Sequence, residues 1–215
     1  MNTSLESKPV RSLSALQEVE LSAPYRALYE RVASAAAGPE PWRRRKLGAA
    51  HEFLASAQVS GRIMVQYLDL SAAFRSVFLL RVPVPCRRGG VGPLVIEPVA
   101  QLGFTYRPEA MTTAQPGYSF FEVLSPREVH HPNIAPSNVP PGAQVLCLGP
   151  SLPAGTKVVD LVLMAYAAIS LQSVQFSLTD PAGLLNPSAA IFLQTSNTPI
   201  PLTREPFVLL KEATP

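Results

Sequence analysis

The segment that most constrains the fold is an apolar run at residues 157–178, KVVDLVLMAYAAISLQSVQFSL. One helical face of this run carries Val158, Leu161, Val162, Ala165, Ala168, Ile169 and Gln172. Val159, Leu163 and Met164 extend the apolar surface to most other sides. Because a helix that is apolar nearly all round has to be covered, the pattern predicts a helix largely buried in the core.

Upstream of this helix, the period of the hydrophobic pattern changes at Gly61. Residues 1–57 contain two stretches with apolar residues at helical spacing, separated by the AGPEPW segment, and they predict two helices. From residue 63, apolar and polar residues alternate with a period of two, which predicts a strand. Apolar runs at 77–84, 94–99 and 118–124 predict three further strands in an antiparallel meander.

These elements together predict an α+β fold. We expect a four-stranded antiparallel meander sheet packed on the long helix, with helices in front of the sheet. The organisation that follows is an N-terminal helical extension over residues 1–57 and a catalytic or binding domain over residues 58–215.

Charge and composition argue against several classes of partner. The net charge is +3, and its basic excess is concentrated in the run at 43–46, so we expect no nucleic acid partner. No stretch approaches the ~18 apolar residues of a membrane span, and the first residues lack an apolar signal core. We therefore expect a cytoplasmic protein that does not contact a membrane.

The two cysteines, too few for a disulfide framework, are the candidate reactive groups. Cys86 lies beside Arg87 and Arg88, which would lower its pKa, although a lone loop thiol is more often incidental. Cys147 lies in VLCLG, where a cysteine can simply be a small buried hydrophobic residue. A hydrolase would need His131 as the general base, and a metal site would need His130 together with His131 and Cys147.

A thiol that carries an acyl group as a thioester makes different demands. It should lack a neighbouring general base, because an activated water would hydrolyse the acyl group. It still needs a donor for the oxyanion and a group that favours the neutral form of an attacking amine. Asn133 and Asp180 are the candidates for these two roles.

The order of four sequence pieces supports this interpretation. HPNI at 131–134 precedes VLCLG around Cys147, then comes the apolar helix, and then DPAGLLNPSAA at 180–190. Asp180 follows Cys147 by 33 positions. This arrangement resembles the core of ubiquitin-conjugating enzymes, and in particular the divergent bacterial ones encoded in antiphage operons. The connection between Asn133 and Cys147 is longer here than in that family.

The resemblance implies that Cys147 accepts the C-terminus of a ubiquitin-like protein from an ATP-dependent activating enzyme and transfers it to an amine of a target protein. It also implies that Asn133 donates to the oxyanion or organises its loop, that Asp180 positions the incoming lysine, and that no cofactor is needed. We expect a solvent-reachable thiol with both residues close to it. The alternative is a non-catalytic module of the same fold that binds a ubiquitin-like partner.

Overall fold

The computed structural model describes residues 13–138, 142–179 and 183–208. Its helices are α1 (Ala23–Ser34), α2 (Glu40–Ser60), α3 (Val158–Ile169) and α4 (Pro187–Thr195). Its strands are β1 (Ile63–Asp69), β2 (Phe74–Arg87), β3 (Leu94–Tyr106), β4 (Phe121–Ser125) and β5 (Val145–Leu146). The predicted α+β class is confirmed. None of the helices in the described ranges is long and apolar enough to cross a lipid bilayer.

The sheet is antiparallel throughout, with the strands in the order β1-β2-β3-β4-β5. The predicted meander is therefore confirmed, but the predicted count of four strands is wrong. The additional strand, β5, has two residues and pairs with β4 through Phe121 with Leu146 and Glu122 with Val145. A strand this short has no measurable period, so only its pairing with β4 defines it.

The two helices predicted before the sheet are present as α1 and α2. Pro24 lies in the first turn of α1, where the missing backbone N–H removes no helical hydrogen bond. Gly61 ends α2 with φ of 61°, a left-handed conformation that glycine adopts without a steric penalty. The change of period at Gly61 is therefore a real boundary between helix and strand.

The core lies between the sheet and the helices α2 and α3, which also pack against each other. Phe53 of α2 meets Phe74 and Phe78 of β2 edge to face, with ring centroids 5.8 and 5.4 Å apart. Eight of the twelve residues of α3 are buried. This confirms that the apolar helix is largely enclosed, as its sequence requires.

The segment after α4 is held against the core by Arg62, which precedes β1 and is 8% exposed. Its guanidinium donates to the carbonyl oxygens of Pro206 and Phe207 at 3.2 and 3.0 Å, and it pairs with the Glu205 carboxylate at 2.8 Å. The same group lies over the Tyr166 ring, 5.0 Å from its centroid. One buried cation therefore joins the C-terminal segment to β1 and α3.

We expect Arg62→Ala to lower the free energy of unfolding by about 3 kcal/mol, because it leaves two carbonyl oxygens without their charged donor. Urea denaturation measures this change. The matched control is Arg26→Ala, which removes an exposed pair with Glu20 and should cost less than about 1 kcal/mol. Equal losses in the two variants would contradict the anchoring role of Arg62.

Candidate active site

The site forms where the His-Pro-Asn turn lies beside the end of β5. The backbone N–H of Cys147 donates to the carbonyl oxygen of Asn133 at 2.8 Å, and the N–H of Ala135 donates to Val145 O at 3.0 Å. Ile134 and Leu146 form an antiparallel bridge between these two hydrogen bonds. Residues 133–135 therefore run alongside β5, and this pairing brings Asn133 next to Cys147 as expected.

The long connection between Asn133 and Cys147 departs from β5 after Ala135 and returns to it at Val145. Its return is fixed by Gln144, whose side chain is fully buried. The side-chain carbonyl of Gln144 accepts from the Val129 N–H at 3.1 Å, and its amide donates to Val123 O and Pro126 O at 3.1 and 2.7 Å. The additional length of this connection therefore does not separate Asn133 from Cys147.

The Asn133 side chain connects the turn to two other segments. Its Nδ2 donates to the carbonyl oxygen of Cys147 at 3.4 Å, and its Oδ1 accepts from the backbone N–H of Gln175 at 3.2 Å. One hydrogen on Nδ2 satisfies the Cys147 carbonyl, and a second remains for an oxyanion. Asn133 can thus serve both of the roles considered for it, as loop organiser and as donor.

His131 is fully buried and uses both ring nitrogens within the protein. Nδ1 accepts from the backbone N–H of Asn133 at 3.0 Å, so Nε2 carries the proton and donates to Ala168 O at 2.9 Å. Burial lowers the pKa of His131 from 6.5 to about 4. A neutral histidine with both nitrogens engaged is available neither as the base of a hydrolase nor as a metal ligand.

The Cys147 thiol is less accessible than expected. The residue is 2% exposed, and its Sγ donates to the carbonyl oxygen of Gly149 at 3.2 Å. Burial raises the pKa of the thiol. The expectation of a solvent-reachable thiol is therefore wrong for this conformation, because the chain folds back over the sulfur immediately after β5.

Glycines allow this close cover. A Cβ on Gly117 would lie 2.1 Å from Gly149 O, so only a residue without a side chain lets the two backbones approach. Gly183, with φ of +90°, lies above the site: a Cβ there would be 3.9 Å from both Cys147 Sγ and Asn133 Nδ2. The backbone of Gly149 and that of Gly183 thus both lie close to the thiol.

Beside the thiol, a cleft of about 390 Å³ separates the cover from α3. Leu163, Met164 and Ala167 of α3 form its apolar wall. Asn133, Cys147, Gly149 and Gly183 also line the cleft. The cleft can therefore hold an extended apolar or small-residue segment against the sulfur.

Two further sequence candidates have different outcomes. Asp180 lies outside the described residues. Cys86 belongs to β2, not to a loop, and is 8% exposed. The expected lowering of its pKa by the neighbouring arginines is wrong: burial and the carboxylates of Glu97 and Glu128 raise the pKa of Cys86 to about 12.

Some residues that shape the site were not identified from the sequence. Gly149 and Gly183 lie close to the motifs, two residues after Cys147 and within DPAGLLNP, so their sequence positions are a usable signal. Gln175 contributes through its backbone N–H, Gly117 lies far from any motif, and Gln144 directly precedes VLCLG. Nothing local distinguishes these last three, because their partners come from distant parts of the chain.

The buried His131 predicts a dependence of stability on pH. The unfolded chain binds a proton near pH 6.5, whereas the folded chain binds it only near pH 4. The free energy of unfolding should therefore fall as the pH decreases from about 6.5 to about 4, by about 3 kcal/mol in all, and recover above this window. Urea denaturation across this pH range measures the slope.

His131→Gln keeps an acceptor and a donor but does not titrate, so it should flatten the dependence of the free energy of unfolding on pH. The control is His51→Gln, in α2, which should retain it. An unchanged slope in His131→Gln would contradict the assignment.

Comparisons with known proteins do not assign this chain to a family. No family model, no curated protein and no solved structure matches it.

Proposed function

We propose that this protein is a thioester-carrying acyltransferase of the ubiquitin-conjugating type, acting in the bacterial cytoplasm in antiphage defence. Cys147 takes the C-terminal acyl group of a ubiquitin-like protein from an ATP-dependent activating enzyme. It then transfers this group to an amine of a target protein. The observation that carries the proposal is the pairing of Asn133 with Cys147 at the end of β5.

The chemistry balances without a cofactor. The Cys147 thiolate attacks the carbonyl carbon of the thioester on the activating enzyme, and that enzyme leaves as its own thiolate. An amine nitrogen then attacks the new thioester, the carbon–sulfur bond breaks, an amide forms, and the proton lost by the amine returns to the departing sulfur or to solvent. The oxyanion formed at each attack needs a hydrogen-bond donor, which is the role proposed for Asn133.

The environment of Cys147 suits a carrier better than a hydrolase. His131 is neutral and has no free nitrogen, so it does not activate a water. The absence of an activated water favours retention of the acyl group until an amine arrives.

The low exposure of the thiol adds a requirement to this proposal. Because Gly149 and Gly183 cover the sulfur, acyl transfer to Cys147 needs these segments to separate and admit the donor.

The second candidate function is a non-catalytic module that binds a ubiquitin-like partner. The low exposure of Cys147 favours it, since a residue 2% exposed does not react in this conformation.

Thioester formation separates the two candidates. The protein is incubated with ATP, an adenylating enzyme and the ubiquitin-like protein activated by that enzyme, taken from neighbouring genes. A non-reducing gel should show an adduct that a thiol reductant removes. Cys147→Ala should abolish it, and Cys147→Ser should replace it with a reductant-resistant oxyester.

The matched control is Cys86→Ala, which removes the other thiol and should leave the adduct unchanged. Absence of an adduct in the wild-type protein, or an adduct that persists in Cys147→Ala, would reject the carrier function. A ubiquitin-like protein that binds without forming an adduct would support the binding module.

The role of Asn133 is tested on the charged protein by discharge to free lysine. Asn133→Ala should slow discharge about 10²–10³-fold, as expected for loss of an oxyanion donor. Asn133→Asp separates the two roles of the side chain, because it keeps an acceptor for the Gln175 N–H but lacks the amide donor. It should be about as slow as Asn133→Ala. If Asn133→Asp discharges at the wild-type rate, Asn133 is an organiser of the loop and not an oxyanion donor.

A further inference from the structure

A second cavity, of about 160 Å³, lies between α2 and the entry to α3. Its walls comprise Gln17, Trp42, Arg44, Arg45, Lys46, Gly48, Ala49, Glu52, Phe74, Tyr106, Thr156, Lys157 and Val158. None of these residues lines the Cys147 cleft. The cavity is therefore a separate feature that the thioester chemistry does not use.

Positive charge dominates the cavity wall. Arg44, Arg45 and Lys157 contribute three cationic side chains, against one acid, Glu52, whose carboxylate accepts from the side chain of Gln17. Lys46 adds a fourth cation, although its Nζ is bound to the carbonyl oxygens of Ala37, Leu70 and Ser71.

The cations at the rim lack strong acidic partners. Within the part of the chain that the structure describes, neither Arg45 nor Lys157 forms an ion pair. Arg44 pairs with Glu40 at 3.4 Å, but both side chains are more than half exposed, so the pair is weak. Arg45 is held in place by a hydrogen bond of 2.7 Å from its guanidinium to Gly155 O. An anion entering the cavity would thus meet a positioned guanidinium and two available cations.

The size of the cavity limits the ligand. Pockets that enclose a whole small molecule usually measure about 300–1,000 Å³, so this one accommodates a single headgroup. Guanidinium and ammonium groups together favour a phosphate over a carboxylate, because a phosphate offers more acceptor oxygens and a higher charge. We propose that this cavity binds the phosphate group of a small soluble molecule, whose remainder extends into solvent past Arg44 and Lys157.

The fluorescence of Trp42 reports anion binding directly, because Trp42 is the only tryptophan of the chain and lines the cavity. The full-length protein is titrated with inorganic phosphate and, separately, with pyrophosphate, while sodium chloride keeps the ionic strength constant. We expect a saturable change in tryptophan fluorescence with both probes. Sodium acetate titrated in the same way should give a weaker response.

Arg45→Gln and Lys157→Gln should each weaken binding about tenfold, since each removes one charged hydrogen-bond donor from the anion. The control is Arg43→Gln, in the same basic run. Arg43 donates instead to Ala36 O and is absent from the cavity wall, so its loss should leave the affinity within about twofold. Lys157 is exposed, so Lys157→Gln tests the site even if Arg45→Gln folds poorly.

Three outcomes would overturn the proposal. The first is a fluorescence response that does not saturate, and the second is an equal loss of affinity in Arg43→Gln and Lys157→Gln. The third is binding to vesicles containing anionic lipid, or to a phosphopeptide, without binding to either inorganic probe. A saturable response that only the cavity variants weaken supports it.

Discussion

The structure around the candidate site depends on one backbone pairing, between residues 133–135 and the strand β5. This pairing places the Asn133 carbonyl on the Cys147 N–H and the Asn133 amide on the Cys147 carbonyl. His131 supports it from beneath by accepting the Asn133 N–H and donating to α3. Without these bonds, the turn and the cysteine would be two unrelated loops at the edge of the sheet.

The same fold that positions the cysteine also restrains it. Gly117 lets the Gly149 backbone approach, the Gly149 carbonyl oxygen accepts a hydrogen bond from the thiol, and Gly183 lies close to the sulfur. Burial then raises the pKa of the thiol and keeps it protonated. In the proposed acyl carrier, this conformation would protect the sulfur, and reaction would require movement of the covering backbone.

Sequence and structure agree best where a pattern repeats along the chain. The apolar helix, the change of period at Gly61 and the antiparallel meander were all predictable, because each extends over many residues. The fifth strand was not, because two residues show no period. The expectation of a solvent-reachable Cys147 was wrong, although VLCLG permits a buried cysteine, because Gly149 and Gly183 come together near the sulfur only when the chain folds.

The sequence by itself determined the α+β class, the enclosed helix and which side chains are candidates for chemistry, because hydrophobic period and residue type are local properties. Only the tertiary structure decided that Asn133 lies beside Cys147 despite the long connection, that His131 has no free nitrogen, and that Lys157 lines the same small cavity as Arg44 and Arg45. These facts depend on contacts such as those of Gln144, which join distant segments and leave no periodic signal in the sequence.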